Sequence, residues 1–289
     1  LPVSWHNHVS GDHYTISEAW LDRVQEVLDY AVDDDMHVIL NIHHDTDKEY
    51  CYPDKEHLEQ SLSYMTFIWE QLADRFGDYD EHVIFESINE PRLVETDHEW
   101  WLDMNAAECV EAVECINEWN QNFVDVVRKT GGNNATRYLM VPGYDASADG
   151  VLNDKFVLPT DTAENEGKIL VSVHAYIPYH FALQAATENE SIDQFNASEK
   201  TSTNDIDQMM EKLYAKYISN EIPVVIGEFG ARDKNGNLQS RVDYAAYYIA
   251  AARAYGMNCN WWDNNAFTGD GELFGLLDRK TVTWRYPKI

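Results

Sequence analysis

Short apolar runs, each ending abruptly in residues that can do chemistry, recur along this 289-residue chain at intervals a helix would fill. The clearest is Val83-Ile84-Phe85-Glu86-Ser87-Ile88-Asn89-Glu90-Pro91-Arg92. Its β-branched opening predicts a buried strand. Proline has no N–H to give a ladder, so pairing must stop at Pro91 and leave Asn89 and Glu90 side by side at the strand's C-terminal end. A second run, Ile222-Pro223-Val224-Val225-Ile226-Gly227-Glu228-Phe229-Gly230, ends the same way, with Glu228 between glycines. Five further runs, at 1–5, 37–42, 137–141, 168–173 and 257–262, bring the predicted strands to seven. Helical spacing fills most of the gaps: a helix starting near Ser17, then 57–76, 97–129 in two pieces, 204–220 and 239–255. Such alternation predicts a parallel α/β sheet.

Residues suited to binding or catalysis follow nearly every run: His43, His44, Glu90, Tyr144, His174, Glu228 and Trp262. An open doubly wound sheet gathers its site at one switch point. Contributions from strands all round the fold favour a closed (β/α)8 TIM barrel instead. A barrel needs eight strands, so strand 1 and helix 1 are expected upstream of Leu1. Most of the last helix is expected beyond Ile289. The whole of 1–289 is expected to be one catalytic domain, with Glu90 and Glu228 facing one another across a pocket.

The formal net charge of -30, from 21 basic and 51 acidic residues, repels phosphate backbones and anionic lipid surfaces. Nucleic acid and membrane are therefore excluded as expected partners, and a neutral substrate is favoured. No apolar run is long enough to cross a bilayer, and no signal peptide is visible. The four cysteines, Cys51, Cys109, Cys115 and Cys259, form no CxxC pair. Cys109 and Cys115 fall on opposing faces of a helical stretch, so isolated thiols are expected. His43-His44-Asp45 invites a metal reading, but adjacent strand residues point to opposite faces, so the two imidazoles do not converge on one ion. No metal and no cofactor are expected.

Glycosidic bonds are broken by two carboxyl groups, one protonated to donate to the leaving oxygen and one ionised to attack the sugar or activate water. Asn89 is placed to hydrogen-bond a sugar 2-hydroxyl. Tyr176, if it points at Glu228, donates to the ionised carboxylate and stabilises it. Glu90, near a second negative charge, is expected to hold its proton more tightly.

The motifs PVSWHNH at 2–8, NIHHD at 41–45, FESINEPR at 85–92, LMVPGY at 139–144, VHAYIPY at 173–179, VVIGEFGA at 224–231 and NWWDNNAF at 260–267 resemble glycoside hydrolase family 5. The resemblance is to its cellulase-type endo-β-1,4-glucanase branch, which includes xyloglucanases and lichenases. It implies Glu90 as general acid/base and Glu228 as nucleophile of a retaining mechanism, with carboxyl groups about 5–5.5 Å apart. It implies Asn89, His43, His174, Tyr176 and Trp262 as substrate-binding residues, and less decisively His44, Trp5 and Trp261. It implies a β-glucan polysaccharide or oligosaccharide as partner, a monomer, and secretion. Tyr50, Tyr52 and Tyr179 are candidates to line a cleft, whereas Trp100 and Trp101 are expected to pack a helix. One departure stands out: family members carry an arginine just before the Ile/Leu-Pro of strand 2, and here Leu1 is the first residue. The alternative expectation is a barrel that binds glucan with impaired catalysis because that arginine and strand 1 are missing.

Overall fold

The computed structural model describes residues 1–289, which form two compact units, Leu1–Ser172 and Val173–Ile289. The first unit opens with a small antiparallel hairpin, β1 (Val9–Ser10) and β2 (Thr15–Ile16), followed by α1 (Glu18–Asp33). Then come β3 (Val38–Asn41), α2 (Leu58–Arg75), β4 (Val83–Glu86), α3 (Ala107–Lys129), β5 (Leu139–Pro142) and the short α4 (Ala148–Leu152). β6 (Ile169–His174) starts in this unit and runs into the next. Neighbours pair in parallel and in chain order: Val38 sits opposite Val83, Phe85 opposite Leu139, and Leu139 opposite Ile169.

These strands are short and nearly all apolar, which suits a sheet covered on both faces. The covering helices show the matching stripe. α3 buries Ala112, Val113, Ile116, Trp119, Phe123, Val124 and Val127 at helical spacing. α2 buries Tyr64, Met65, Ile68, Trp69 and Leu72, and Trp69 packs on both Phe85 and Phe123 with ring centroids 5.3 and 4.5 Å away. Two polar members of these stripes reach back to the sheet. Asn120 of α3 accepts from Ser87 Oγ at 2.7 Å and donates to the Pro142 carbonyl at 2.9 Å. Trp69 Nε1 donates to the Ser87 carbonyl at 3.0 Å. The backbone just after β4 is thereby pinned from behind.

At the opposite, N-terminal end of β4, Arg137 is a buried cation. Its guanidinium donates to Asn134 Oδ1 and to the carbonyls of Val83, Asp80 and Tyr79, at 2.6–3.0 Å. Burial, partly offset by Asp80, pushes it down to about 10.

In the second unit, α5 (Tyr179–Ala182) and α6 (Lys200–Lys216) lead to β7 (Val224–Phe229), α7 (Leu238–Ala254) and β8 (Asn258–Trp261), and a small antiparallel pair, β9 (Leu277–Asp278) with β10 (Thr283–Trp284), follows. β7 and β8 are parallel. Ile226 pairs with Cys259 but Phe229 with Trp261, so β7 carries one extra residue between them. That is a β-bulge at Gly227-Glu228, a device that re-aims a side chain at a strand end.

Two expectations are corrected. Residues 1–5 form no regular strand, and the backbone of Trp5 already lies in the helical region. Leu1 N–H and Val3 C=O do bond across to Ile39 and His43, at 2.8 and 2.9 Å. The N–H groups of Val3 and Trp5, however, go to the side chains of Asn41 and Asp45, not to a backbone ladder. Residues 97–106 are loop, and the helix begins only at Ala107. Asp103 accepts from the Asn105 backbone, Thr96 Oγ1 donates to Leu93 C=O, and Glu99 accepts from Glu95 N–H. Such local side-chain bonds compete with helical ones. Trp100 and Trp101 therefore lie on a loop rather than in a helix and stand exposed, with Arg92 stacked over Trp100 at 4.0 Å.

Candidate active site

In the first unit the chain beyond β4 stays tied to both neighbours. Ser87 N–H reaches Met140 C=O at 3.0 Å and Asn89 N–H reaches Ile42 C=O at 2.8 Å. Pro91 then ends the pairing, and its carbonyl accepts from Asp145 N–H at 2.8 Å. The Tyr144 hydroxyl accepts from Leu93 N–H and donates to His98 C=O, at 3.0 and 2.6 Å. Tyr144 is thus a buried strut for the loop after Glu90 and has no surface for a ligand. Its backbone is reached because Gly143 and Gly150 let two chain segments touch. A Cβ on Gly143 would sit 2.4 Å from Gly150 backbone atoms.

Asn89 and Glu90 occupy the anchored segment. Asn89 is buried, and its Oδ1 has no hydrogen-bond partner. An unpaired buried amide oxygen costs about 1–3 kcal/mol, and a ligand hydroxyl would satisfy it. Glu90 is partly exposed, with Arg92 Nη1 3.8 Å from its Oε2 and 2.9 Å from its backbone carbonyl. Arg92 also reaches Glu99 at 3.4 Å. Sequence reasoning gave Arg92 no role, although it closes the motif FESINEPR.

β3 supplies a third group. Asn41, His43 and Asp45 share one side of the chain at alternating positions, while His44 points out and is exposed. His43 is buried, and its Nδ1 lies 3.2 Å from Asn41 Nδ2. Asp45 is fully buried and accepts from the Trp5 backbone, Tyr64 hydroxyl and His6 ring, at 2.7–3.1 Å. Trp5, expected to meet substrate, has no exposed surface at all, and its Nε1 donates to Asn41 C=O at 3.0 Å. It supports the site from beneath. Period-two spacing in NIHHD was the signal that could have revealed Asn41 and Asp45.

In the second unit, Glu228 is buried on the bulge of β7. Tyr176 Oη donates to its Oε2 at 2.6 Å, the contact expected from the sequence. His174 Nδ1 lies 3.8 Å from the same oxygen. The backbone is fixed as well: Ala175 N–H bonds Glu228 C=O at 2.9 Å, and the Tyr248 hydroxyl donates to Ala175 C=O at 3.1 Å. The ring of Tyr176 rests on Phe274, with centroids 5.2 Å apart. Trp261 turns its Nε1 to Phe274 C=O and packs on Phe229. Trp262, next along the chain, is half-buried, and its N–H bonds Phe229 C=O.

Each unit therefore presents a glutamate at the C-terminal end of a parallel strand, the end at which α/β folds of this kind place their chemistry.

Residues 1–268 match the sequence profile of the cellulase family, glycosyl hydrolase family 5. Endoglucanase B of Ruminococcus albus is 42% identical over the full chain, which spans 65% of that relative's length. A glycoside hydrolase 5 lichenase from Caldicellulosiruptor sp. F32, solved as a variant with cellotetraose, superposes with a TM-score of 0.98 at 59% identity. That match covers all of this chain and 77% of the lichenase. A broad-specificity endoglucanase from Ruminococcus champanellensis with bound cellotriose superposes at 0.89, with 43% identity, over 99% of this chain and 78% of its own.

Proposed function

The chain belongs to glycosyl hydrolase family 5 and has a (β/α)8-class fold, and from that premise we propose that it hydrolyses internal β-1,4 linkages of glucans with retention of configuration. The observation that carries this reading is the Glu228 carboxylate, buried on a strand-end bulge and held at 2.6 Å by the Tyr176 hydroxyl. A hydroxyl donor on one oxygen favours the ionised form and orients it. Glu228 is the nucleophile in this scheme. Glu90, more open and anchored through its backbone, is the acid.

Glu90 protonates the glycosidic oxygen as Glu228 attacks the anomeric carbon. The bond to the leaving sugar breaks and a glycosyl ester forms on Glu228. Glu90, now a carboxylate, takes a proton from water, whose oxygen attacks the same carbon and frees Glu228. Asn89 Oδ1, unpaired in the protein, accepts from the sugar 2-hydroxyl. His43 and His174 bind further hydroxyls, and Trp262 offers an aromatic face to the apolar face of a pyranose. Related proteins named as a lichenase and as a broad-specificity endoglucanase, each with a bound cello-oligosaccharide, support a β-glucan rather than another polymer. A polymer too large to enter a cell places the activity outside it, as a monomer acting without cofactor.

The test is reducing-sugar release from mixed-linkage glucan, carboxymethyl-cellulose, xyloglucan and mannan, with NMR of the first-formed anomer. Release from a β-1,4-glucan with β-anomer appearing first is expected. A first-formed α-anomer would overturn retention. Binding of glucan by a folded sample with no release would turn the reading to a binding protein.

A further inference from the structure

Beneath His43 lies a chain of buried polar side chains for which the scheme above has no role. Glu86, the last residue of β4, points a carboxylate into the protein, where it is 3% exposed. Its Oε1 accepts from Ser172 Oγ at 2.6 Å, and its Oε2 accepts from Asn41 Nδ2 at 3.0 Å. Parallel register explains the second contact, since Asn41 sits directly opposite Glu86 on the neighbouring strand. The same Asn41 Nδ2 lies 3.2 Å from His43 Nδ1.

An amide's two ends are told apart by their partners. Turning Asn41 over would set its oxygen against a carboxylate oxygen and its NH₂ against the Val3 N–H, which now faces Oδ1 at 3.4 Å. Both contacts would become repulsive, so Nδ2 faces Glu86 and His43. An NH₂ group donates and does not accept, so His43 Nδ1 is the acceptor, and the ring's proton sits on Nε2. The frame around Asn41 is rigid: Trp5 Nε1 holds its carbonyl and His43 N–H holds Val3 C=O.

We propose that Asn41, oriented by Glu86, is a positioning residue that fixes His43 as the Nε2-protonated tautomer and so makes it a hydrogen-bond donor to the substrate. This rests on the glucan-hydrolase reading only for the identity of the acceptor, a sugar hydroxyl. The tautomer itself follows from the buried network. A donor fixed in advance needs no rearrangement when substrate arrives.

The experiment is long-range ¹H–¹⁵N correlation NMR of the protein with ¹⁵N-labelled histidine at about pH 8, above the ordinary histidine range. His43→Gln identifies the ring by the loss of its signals. The wild type is expected to show Nε2–H, and an Nδ1–H pattern would overturn the proposal. The double variant Asn41→Asp with Glu86→Gln reverses the chain at constant charge. The amide introduced at position 86 then donates to the carboxylate introduced at position 41, which in turn accepts from His43 Nδ1–H. The His43 tautomer is expected to switch, and kcat/KM on β-glucan to fall roughly 10-fold, the scale of one misdirected buried hydrogen bond. A folded double variant with the wild-type tautomer overturns the proposal. If that variant does not fold, the wild-type spectrum decides alone. A wild type that shows Nε2–H yet cleaves no glucan sinks the hydrolase reading and leaves the tautomer standing.

Discussion

Arg137 and Asn89 are buried polar residues at opposite ends of the same strand layer, and the protein treats them in opposite ways. At the N-terminal end, Arg137 is surrounded by Asn134 and a cluster of backbone carbonyls. At the C-terminal end, Asn89 keeps an oxygen buried and unpaired. The first arrangement satisfies every acceptor it meets and stabilises the fold. The second leaves a buried oxygen without a partner, at some cost to stability, and the proposed contact of Asn89 with a sugar hydroxyl would supply one. The division matches the general one in α/β barrels, where one end of the strands carries stability and the other carries chemistry.

The sharpest way to break this comparison is at the glutamates. Glu228→Gln is expected to lower kcat on β-glucan by roughly 10⁴-fold or more, with the melting temperature little changed. Glu90→Gln is expected to cost about 10²–10⁴-fold on polysaccharide, and much less on aryl glycosides whose leaving group needs no proton. Steady-state kinetics on both substrate classes check this. The reverse pattern would exchange the two roles.

Arg137→Met probes the other end. It strips the donor from several buried carbonyls, and a loss of about 3–5 kcal/mol is expected in urea unfolding. The surviving folded fraction should keep its kcat. A large drop in kcat at full folding would mean that the two ends are not separate in function.

Arg128 and Asp161 test the stabilising end further. Their pair has Arg128 Nη2 2.8 Å from Asp161 Oδ2, and both side chains are largely buried. Burial alone would raise Asp161, but Arg128, Thr162 N–H and Asn165 outweigh it and hold the carboxyl below its usual 3.8. The folded state therefore binds fewer protons here than the unfolded state. The contribution is complete above about pH 4 and is lost as pH falls through the lowered folded value. Asp161→Asn should reduce stability at neutral pH by about 1–3 kcal/mol and flatten the acid limb of the stability curve. An acid limb identical to wild type would remove this pair from the account.

The smallest effect is the most diagnostic. Asn89→Ala should leave stability unchanged or slightly higher, because it removes an unpaired oxygen, while kcat/KM falls about 10–100-fold. Calorimetry and kinetics on one sample suffice. A variant that is destabilised and otherwise fully active would place Asn89 with Arg137, among the residues that hold the fold.

Much of this was written in local pattern. A run such as VVIGEFG reads as a buried strand, because β-branched residues favour the pleat, and β7 does run from Val224 to Phe229 and stop before Gly230. That logic located Asn89, Glu90, His43, His174, Tyr176 and Glu228 at strand ends, and the family motifs are the ground for proposing one chemistry for them. The motifs raised a Tyr176–Glu228 contact only as a condition, and the structure supplies it. Local pattern failed where side chains compete for backbone bonds. Thr96, Glu99 and Asp103 hold residues 97–106 as loop and leave Trp100 and Trp101 exposed.

What only the tertiary structure decided is which polar groups find partners. Trp5 lies in a family motif, yet it is wholly enclosed, because its indole N–H is met by the Asn41 carbonyl. Glu86 looks like any strand residue until register sets it opposite Asn41 and within reach of Ser172. The extra residue in β7 that re-aims Glu228 is visible only once β8 is paired beside it. Sequence determines where a strand ends and what chemistry it carries there, since those depend on neighbours along the chain. Register, bulges and the direction of a shared hydrogen atom depend on residues far away along the chain, such as Cys259 for Ile226 and Ser172 for Glu86, and only packing brings those together.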